Sequence, residues 1–311
     1  MPYIIFSIAV FLTLLIILIS YISYRIAFGG GKCVTDAYID TEKEKFAPFC
    51  SKIRKNLDRL YSVPYEEVRI KSQDGLTLYA KYYHIKDGAP VQIQMHGYRS
   101  MAERDFSGGF CEALNREHNI LLLDERAHGK SEGKCISFGA KECIDCTEWI
   151  KYINERFSPN TPIILYGVSM GAATVLCALR KGLPENVRGI VADSPYTCCK
   201  DIVMKVGRDR KIPMRIMMPF VRLGALIFGG FDINDASAID SVGNASVPIL
   251  LIHGKKDSFV PHSMSEKIYE KNNKIRFCSF PDADHCLSYI YDTERYSKEV
   301  NDFIDEVTKQ Q

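Results

Sequence analysis

Ser169 stands between two glycines in the run Ile163-Ile164-Leu165-Tyr166-Gly167-Val168-Ser169-Met170-Gly171-Ala172-Ala173. An apolar stretch, then G-x-S-x-G, then a helix-forming run is the pattern of a buried strand that turns sharply into a helix with the serine at the apex. Residues flanking such a turn must lack bulk, which accounts for Gly167 and Gly171. A serine hydroxyl is a weak nucleophile at neutral pH, so the chemistry also needs a base to take its proton and an acid to orient that base. His285, in Pro281-Asp282-Ala283-Asp284-His285, is the best base, because it falls between a strand candidate and the final helix. His96, His128 and His253 sit beside glycines at turns or strand ends, and His84, His118 and His262 read as exposed. Asp257 is the expected acid, since it follows the strand Ile249 to Ile252 and completes the chain order Ser, Asp, His. Asp193, at the end of the preceding strand, is the competitor. Asp282 and Asp284 are too near His285 in sequence to approach its ring from a separate loop.

Acyl transfer through a tetrahedral intermediate places negative charge on an oxygen, which two backbone N–H groups can hold. Met170, directly after the serine, should supply one. Tyr98, in the loop His96-Gly97-Tyr98 after an early strand, should supply the other. Side chains alone can activate this nucleophile, so nothing calls for a metal or an organic cofactor. Cys143 and Cys146 form a C-x-x-C inside a predicted helix with no second pair, and they read as buried thiols.

The elements that would position these residues are legible as a rhythm. Glu66 to Lys71 and Leu76 to Tyr83 read as an antiparallel pair joined at Asp74-Gly75. Val91 to Met95, Ile120 to Leu123, Ile163 to Tyr166, Gly189 to Ala192, Ile249 to Ile252 and Arg276 to Phe280 follow as strands of a parallel sheet. Helices are predicted between them, near Ala102 to Glu117, Ala140 to Arg156, Met170 to Lys181, Ser263 to Lys271 and Thr293 to Val307, so that both faces are covered. About fifty residues separate the strand ending near Asp193 from Ile249. Ile216, Phe220, Leu223 and Ile227 recur there at helical spacing, and a helical cap over about residues 197–245 is expected.

Five segments together resemble the α/β-hydrolase superfamily: His96-Gly97-Tyr98, Asp124 to Gly133, Gly167 to Gly171, His253 to Asp257, and Asp284-His285. Within it they are similar to the serine-aminopeptidase-like or monoacylglycerol-lipase-like branch, which includes bacterial membrane-anchored hydrolases. The resemblance covers about Tyr65 to Val307 and implies an α/β fold: a mostly parallel eight-stranded sheet with helices on both faces and a helical cap, which the N-terminal segment precedes as one transmembrane helix. In such proteins the segment Asp124 to Gly133 is a structural turn without a catalytic role. Asp282 departs from the glycine that relatives often carry.

The N-terminus is of a different character. No charged side chain precedes Arg25, and Tyr3 to Tyr24 is almost wholly apolar. About 22 residues at 1.5 Å each reach the roughly 30 Å of a bilayer's hydrocarbon, with Tyr3, Tyr21 and Tyr24 where an aromatic belt would lie. Residues 1–28 therefore read as an uncleaved anchor, 29–64 as a connector that opens on Gly29-Gly30-Gly31 and turns helical, and 65–311 as the hydrolase domain. Phe46, Phe49, Ile53, Leu57 and Leu60 give the connector its helical spacing. Arg25, Lys32, Lys43 and Lys45 follow the span and none precedes it, which favours a single-pass membrane protein with a cytoplasmic catalytic domain. The odd count of 11 cysteines agrees with reduced thiols.

A net charge of +2 gives no basic face for nucleic acid. The cap holds Met214, Met217, Met218, Phe220, Leu226, Ile227 and Phe228, which either contact an apolar acyl or aromatic substrate or pack the cap down. Its first half carries Lys200, Lys205, Arg208, Arg210, Lys211, Arg215 and Arg222 against Asp201 and Asp209. A carboxylic-ester hydrolase for lipid-like or small aryl esters is the leading expectation. A serine peptidase or amidase is the alternative, and a non-catalytic membrane-tethered module is the third. The oligomeric state has no sequence signal.

Overall fold

The computed structural model describes residues 1–30, 36–37, 46–243 and 245–309. Gly31, Lys32, Lys43 and Lys45, and with them part of the connector, lie outside these. The chain opens with α1 (Pro2–Ala27), 26 residues whose most apolar 18-residue stretch has a mean hydropathy of 2.8, with side chains exposed as far as Leu18. Thr13 turns its hydroxyl back to the Ala9 carbonyl at 2.9 Å, satisfying its polar group within the helix. Tyr24, expected in an aromatic belt, is instead buried, because the end of α1 docks on the protein rather than standing free. The connector helix α2 (Cys50–Ser62) buries Ile53, Leu57 and Leu60 on one stripe.

Eight strands follow: β1 (Glu66–Lys71), β2 (Thr77–Tyr83), β3 (Val91–Met95), β4 (Asn119–Asp124), β5 (Ile163–Val168), β6 (Val187–Asp193), β7 (Ile249–Gly254) and β8 (Arg276–Phe280). They form one sheet in the order β1-β2-β4-β3-β5-β6-β7-β8. The pairs β1/β2 and β2/β4 are antiparallel and the rest parallel. β3, β5 and β7 are buried along their whole length, as strands covered on both faces must be, whereas the edge strand β1 alternates. The tight link between β1 and β2 is closed by Gly75 at φ +85°.

Twelve helices are completed in the described residues by α3 (Ala102–Asp105), α4 (Ser107–Asn115), α5 (Glu142–Arg156), α6 (Met170–Ala178), α7 (Cys199–Asp209), α8 (Met214–Gly224), α9 (Ala238–Ser241), α10 (Ser263–Lys271), α11 (Ser288–Tyr291) and α12 (Thr293–Lys309). One core layer joins the sheet to α5 and α6 through Trp149, Ile153 and Val175, and the other joins it to α4 and α12 through Phe110, Tyr296 and Phe303. Two expectations change here. The helix predicted over Ala102 to Glu117 is two helices broken at Phe106, whose buried ring packs edge-on against Tyr166. His118 is buried rather than exposed, its Nδ1 3.1 Å from Gln92 Nε2. Cys143 and Cys146 are buried thiols, and burial pushes Cys143 up to about 11.

The region between β6 and β7, where a cap was expected, holds α7, α8, a π-turn at Ala225–Gly229 and α9. The connection β3→β4 runs to one side of β3 and β4→β5 returns to the other. The loops after β3 and β5 thus flank the crevice where an open α/β sheet changes direction.

Candidate active site

At that crevice the chain leaves β5 and enters α6 through Ser169, which takes φ 55° and ψ −110°. A non-glycine residue at positive φ is strained and persists only where its surroundings over-determine it. Those surroundings are close: a Cβ on Gly167 would sit 2.2 Å from the Gly171 carbonyl oxygen, and one on Gly171 would sit 1.9 Å from that of Met95. The two glycines therefore let β3, β5 and α6 meet. The Ser169 amide donates to the Asp193 carbonyl at 2.8 Å, closing the turn against β6.

His285 reaches this serine from the loop after β8. Its Nε2 lies 2.9 Å from Ser169 Oγ and its Nδ1 lies 2.6 Å from Asp257 Oδ2. Since the carboxylate only accepts, Nδ1 carries the proton and Nε2 accepts from the hydroxyl. Asp257 arrives from the loop after β7, and the two loops touch because Gly254 has no side chain: a Cβ there would lie 2.2 Å from the Ala283 carbonyl oxygen. The Ser258 amide and hydroxyl both donate to Asp284 Oδ1, at 2.8 and 2.9 Å, which ties the loops together.

The Asp257 side chain is fully buried, yet its acceptors are well used. Oδ1 takes the amides of Phe259 and Val260 at 2.9 and 2.7 Å. Oδ2 takes His285 and also His253 Nε2 at 3.0 Å. Burial alone would raise this carboxyl, but the hydrogen bonds from His253 and His285 outweigh it and hold the group well below the usual carboxylate range. His253, read from sequence as a strand-end histidine only, is thus a second donor to the acid. Its spacing of four residues from Asp257 across the strand end was the available signal.

Asp193, the competing acid, points elsewhere. It is buried, hydrogen-bonded to Tyr296 Oη and Ser194 Oγ at 2.9 Å each, and burial raises its carboxyl.

The loop after β3 passes directly beside the serine, as a Cβ on Gly97 would sit 3.4 Å from Ser169 Cβ. The Gly97 amide donates to Asp105 Oδ2 at 2.7 Å, and the Ser100 hydroxyl donates to Oδ1 of the same carboxylate at 2.6 Å. The Arg99 amide donates to His128 Nε2 at 2.9 Å, while His128 Nδ1–H donates to the Arg126 carbonyl. Burial pushes His128 down to about 3, which keeps it the neutral acceptor that this bond requires. The turn from Asp124 to Gly133 therefore supports the loop that carries Tyr98. Asp105 left no pattern in the sequence beyond one acid in a helical run. Tyr98 lines the same cavity as Ser169, and Met170, next to Ser169 in the chain, opens α6, where the first N–H groups have no intrahelical partner.

A cavity of about 190 Å³ opens at Ser169 and His285. Among the described residues its apolar wall comes from the connector and the segments around it, with Phe46, Ile53, Phe106, Leu287 and Ile290. The apolar residues of the cap do not line it. Gly224, at the end of α8, meets α1 instead: a Cβ there would lie 2.3 Å from the Ser20 carbonyl oxygen. Phe228 packs its ring against Tyr21 and Tyr24 at 5.1 and 6.0 Å.

A family model described as the alpha/beta hydrolase fold matches residues 96–222. The uncharacterised protein YqkD of Bacillus subtilis is 26% identical over 189 residues, which are 60% of this chain and 62% of YqkD. The lysophosphatidylserine lipase ABHD12 of Danio rerio is 22% identical over 230 residues, 69% of this chain and 58% of that one. The chain thus spans about three-fifths of the length of these relatives. Among solved structures, the Pyrococcus furiosus esterase Pf2001 superposes with a TM-score of 0.63 at 25% identity, over 81% of this chain and 93% of the esterase. The Exiguobacterium antarcticum esterase EaEST, at 16% identity and a TM-score of 0.57, covers 77% of this chain and 100% of its own, and shares the fold.

Proposed function

Given that the chain belongs to the α/β-hydrolase superfamily, we propose that it is a membrane-anchored serine hydrolase that cleaves carboxylic esters through an acyl-enzyme. The observation that carries this reading is the unbroken hydrogen-bonded line from Ser169 Oγ to His285 to a buried, charged Asp257.

In this mechanism Ser169 Oγ attacks the ester carbonyl carbon while His285 Nε2 takes the hydroxyl proton. Asp257 holds the imidazole in the required tautomer and stabilises the imidazolium that forms. The carbonyl oxygen, now negative, is received by the backbone N–H groups of Met170 and Tyr98, each worth about 3 to 4 kcal/mol of barrier. Collapse breaks the bond to the alcohol, which leaves with the proton from His285. Water then enters, His285 takes its proton, and the acyl group departs as an acid from the regenerated serine.

An ester of an apolar acyl group is favoured by the wall of Phe46, Ile53, Leu287 and Ile290 beside the serine. The names of the esterase Pf2001 and the lysophosphatidylserine lipase ABHD12, to which the chain is similar, agree with that chemistry. The anchor is supported by α1, the one described helix long and apolar enough to cross a bilayer. To test the substrate class, turnover of p-nitrophenyl esters of graded chain length is compared with that of aminoacyl anilides. Esters should be hydrolysed and anilides should not; faster anilide cleavage would overturn the ester assignment in favour of a peptidase or amidase.

A further inference from the structure

The cap turns apolar side chains outward at the place where α1 leaves the domain. Ile216 is 66% exposed, Leu226 45%, Ile227 52% and Phe228 36%, and the last three form most of the π-turn Ala225–Gly229. Their depth is set by the neighbouring helix. The stretch from Pro2 to Tyr21 is about 30 Å long at 1.5 Å per residue, which uses up a bilayer's hydrocarbon thickness. Phe228 packs edge-on against Tyr21, so the π-turn stands level with the end of the span, where headgroups meet acyl chains.

Charge points the same way. Lys205 pairs with Asp209 and Arg222 with Asp232. Arg208, Arg210, Lys211 and Arg215 are exposed and make no ion pair among the described residues. An apolar patch edged by uncompensated basic residues, held beside a membrane span, matches the two requirements of a surface that lies in the interface of an anionic bilayer.

We propose that the start of α8 and the π-turn Ala225–Gly229 form a membrane-docking surface, with Ile216, Leu226, Ile227 and Phe228 inserted among the tops of the acyl chains and Arg210, Lys211 and Arg215 on anionic phosphate headgroups. The catalytic domain then rests on the bilayer by two contacts, the span and the cap. This rests on reading α1 as a span, and the test separates the two.

The full chain carrying Ile227→Trp is reconstituted in phosphatidylcholine vesicles with and without phosphatidylglycerol, using lipids brominated near the top of the acyl chain. Phe157→Trp, exposed at the opposite edge of the sheet, is the control, and the single native Trp149 is buried. Ester turnover confirms that both variants are folded. The expected result is that the protein stays with the vesicles through an alkaline wash and that the residue at 227 loses most of its emission while that at 157 does not. Adding Arg210→Glu and Arg215→Glu should weaken quenching in vesicles with phosphatidylglycerol and leave it unchanged in those without. Retention with equal emission at the two sites overturns the docking surface and leaves the span standing. Release in the wash overturns the span and the docking surface together. Quenching that ignores both the lipid charge and the charge reversals overturns the headgroup contact.

Discussion

The hydroxyl of Tyr98 donates a 3.0 Å hydrogen bond to the carbonyl of Ala27, the last residue of α1. Next to it, Arg99 Nη2 donates to the Gly29 carbonyl at 2.9 Å, and Phe28, fully buried, packs edge-on against Phe138 and Phe231. The free carbonyls at a helix's C-terminus need donors, and here the loop beside the serine supplies one to Ala27 and a second to Gly29 just beyond the helix. The end of the N-terminal helix and the proposed oxyanion loop are therefore one packed unit.

Tyr98→Phe keeps the ring on Phe138, 4.9 Å away, and deletes only that donor. The expected outcome is a fall in kcat of about fivefold, the rate equivalent of roughly 1 kcal/mol, with KM nearly unchanged. Steady-state ester kinetics in detergent micelles measure it. An unchanged kcat would mean that the loop holds its position without α1.

Asp257→Asn leaves the loop contacts from Phe259 and Val260 available but lets His285 adopt the wrong tautomer. A loss of about 10⁴ in kcat is expected, with substrate affinity largely retained. Asp193→Asn, by contrast, should leave kcat within about tenfold, because Asp193 bonds Tyr296 and Ser194 rather than His285. Reversed magnitudes would move the acid to β6.

Gly171→Ala should give little folded protein. Its Cβ would overlap the Met95 carbonyl oxygen at 1.9 Å, backbone against backbone, so nothing flexible can give way. Gly243→Ala, with open space around it, should leave yield and Tm unchanged. Thermal unfolding of the two variants checks the contrast.

Stability should fall on mild acidification. Burial, with Arg116 nearby, pushes His118 down to about 4. Below the ordinary value near 6.5 the unfolded chain takes up a proton that the folded chain refuses until about pH 4. The contribution is thus present above about pH 6.5 and is lost as the pH falls, by about 2 kcal/mol between about pH 7 and about pH 5. Urea titrations at the two values should show this, and His118→Asn should reduce the difference by about that amount, the remainder coming from His128, which burial holds down to about 3. An equally steep loss in that variant would assign the sensitivity to other groups.

Six strands were legible as short runs bounded by turn residues and the antiparallel pair β1/β2 from its Asp74-Gly75 link, and the turn at Ser169 because strand, G-x-S-x-G and helix are contiguous. The candidates Ser169, Asp257 and His285 follow from chain order, although Asp193 ends β6 and Asp257 lies just beyond β7, and only the approach of the loops at Gly254 brings Asp257 rather than Asp193 to His285. What escaped has no local period. The hydrogen bonds of His253 to Asp257 and of Asp105 to Gly97 join near neighbours in the chain but depend on loop geometry rather than on a repeating spacing, whereas the burial of Tyr24 and His118 and the connector's share of the cavity wall arise from segments far apart in the chain. The cap shows the same limit: its apolar spacing announces a helix but not whether that helix faces substrate, sheet or α1.

The most direct measurement is labelling with a fluorophosphonate, which bonds covalently to an activated serine. Folded full-length protein should gain one adduct, located at Ser169 by peptide mass, and Ser169→Ala should gain none while keeping its Tm. Labelling that survives in Ser169→Ala, or no adduct on the folded native chain, would contradict Ser169 as the nucleophile.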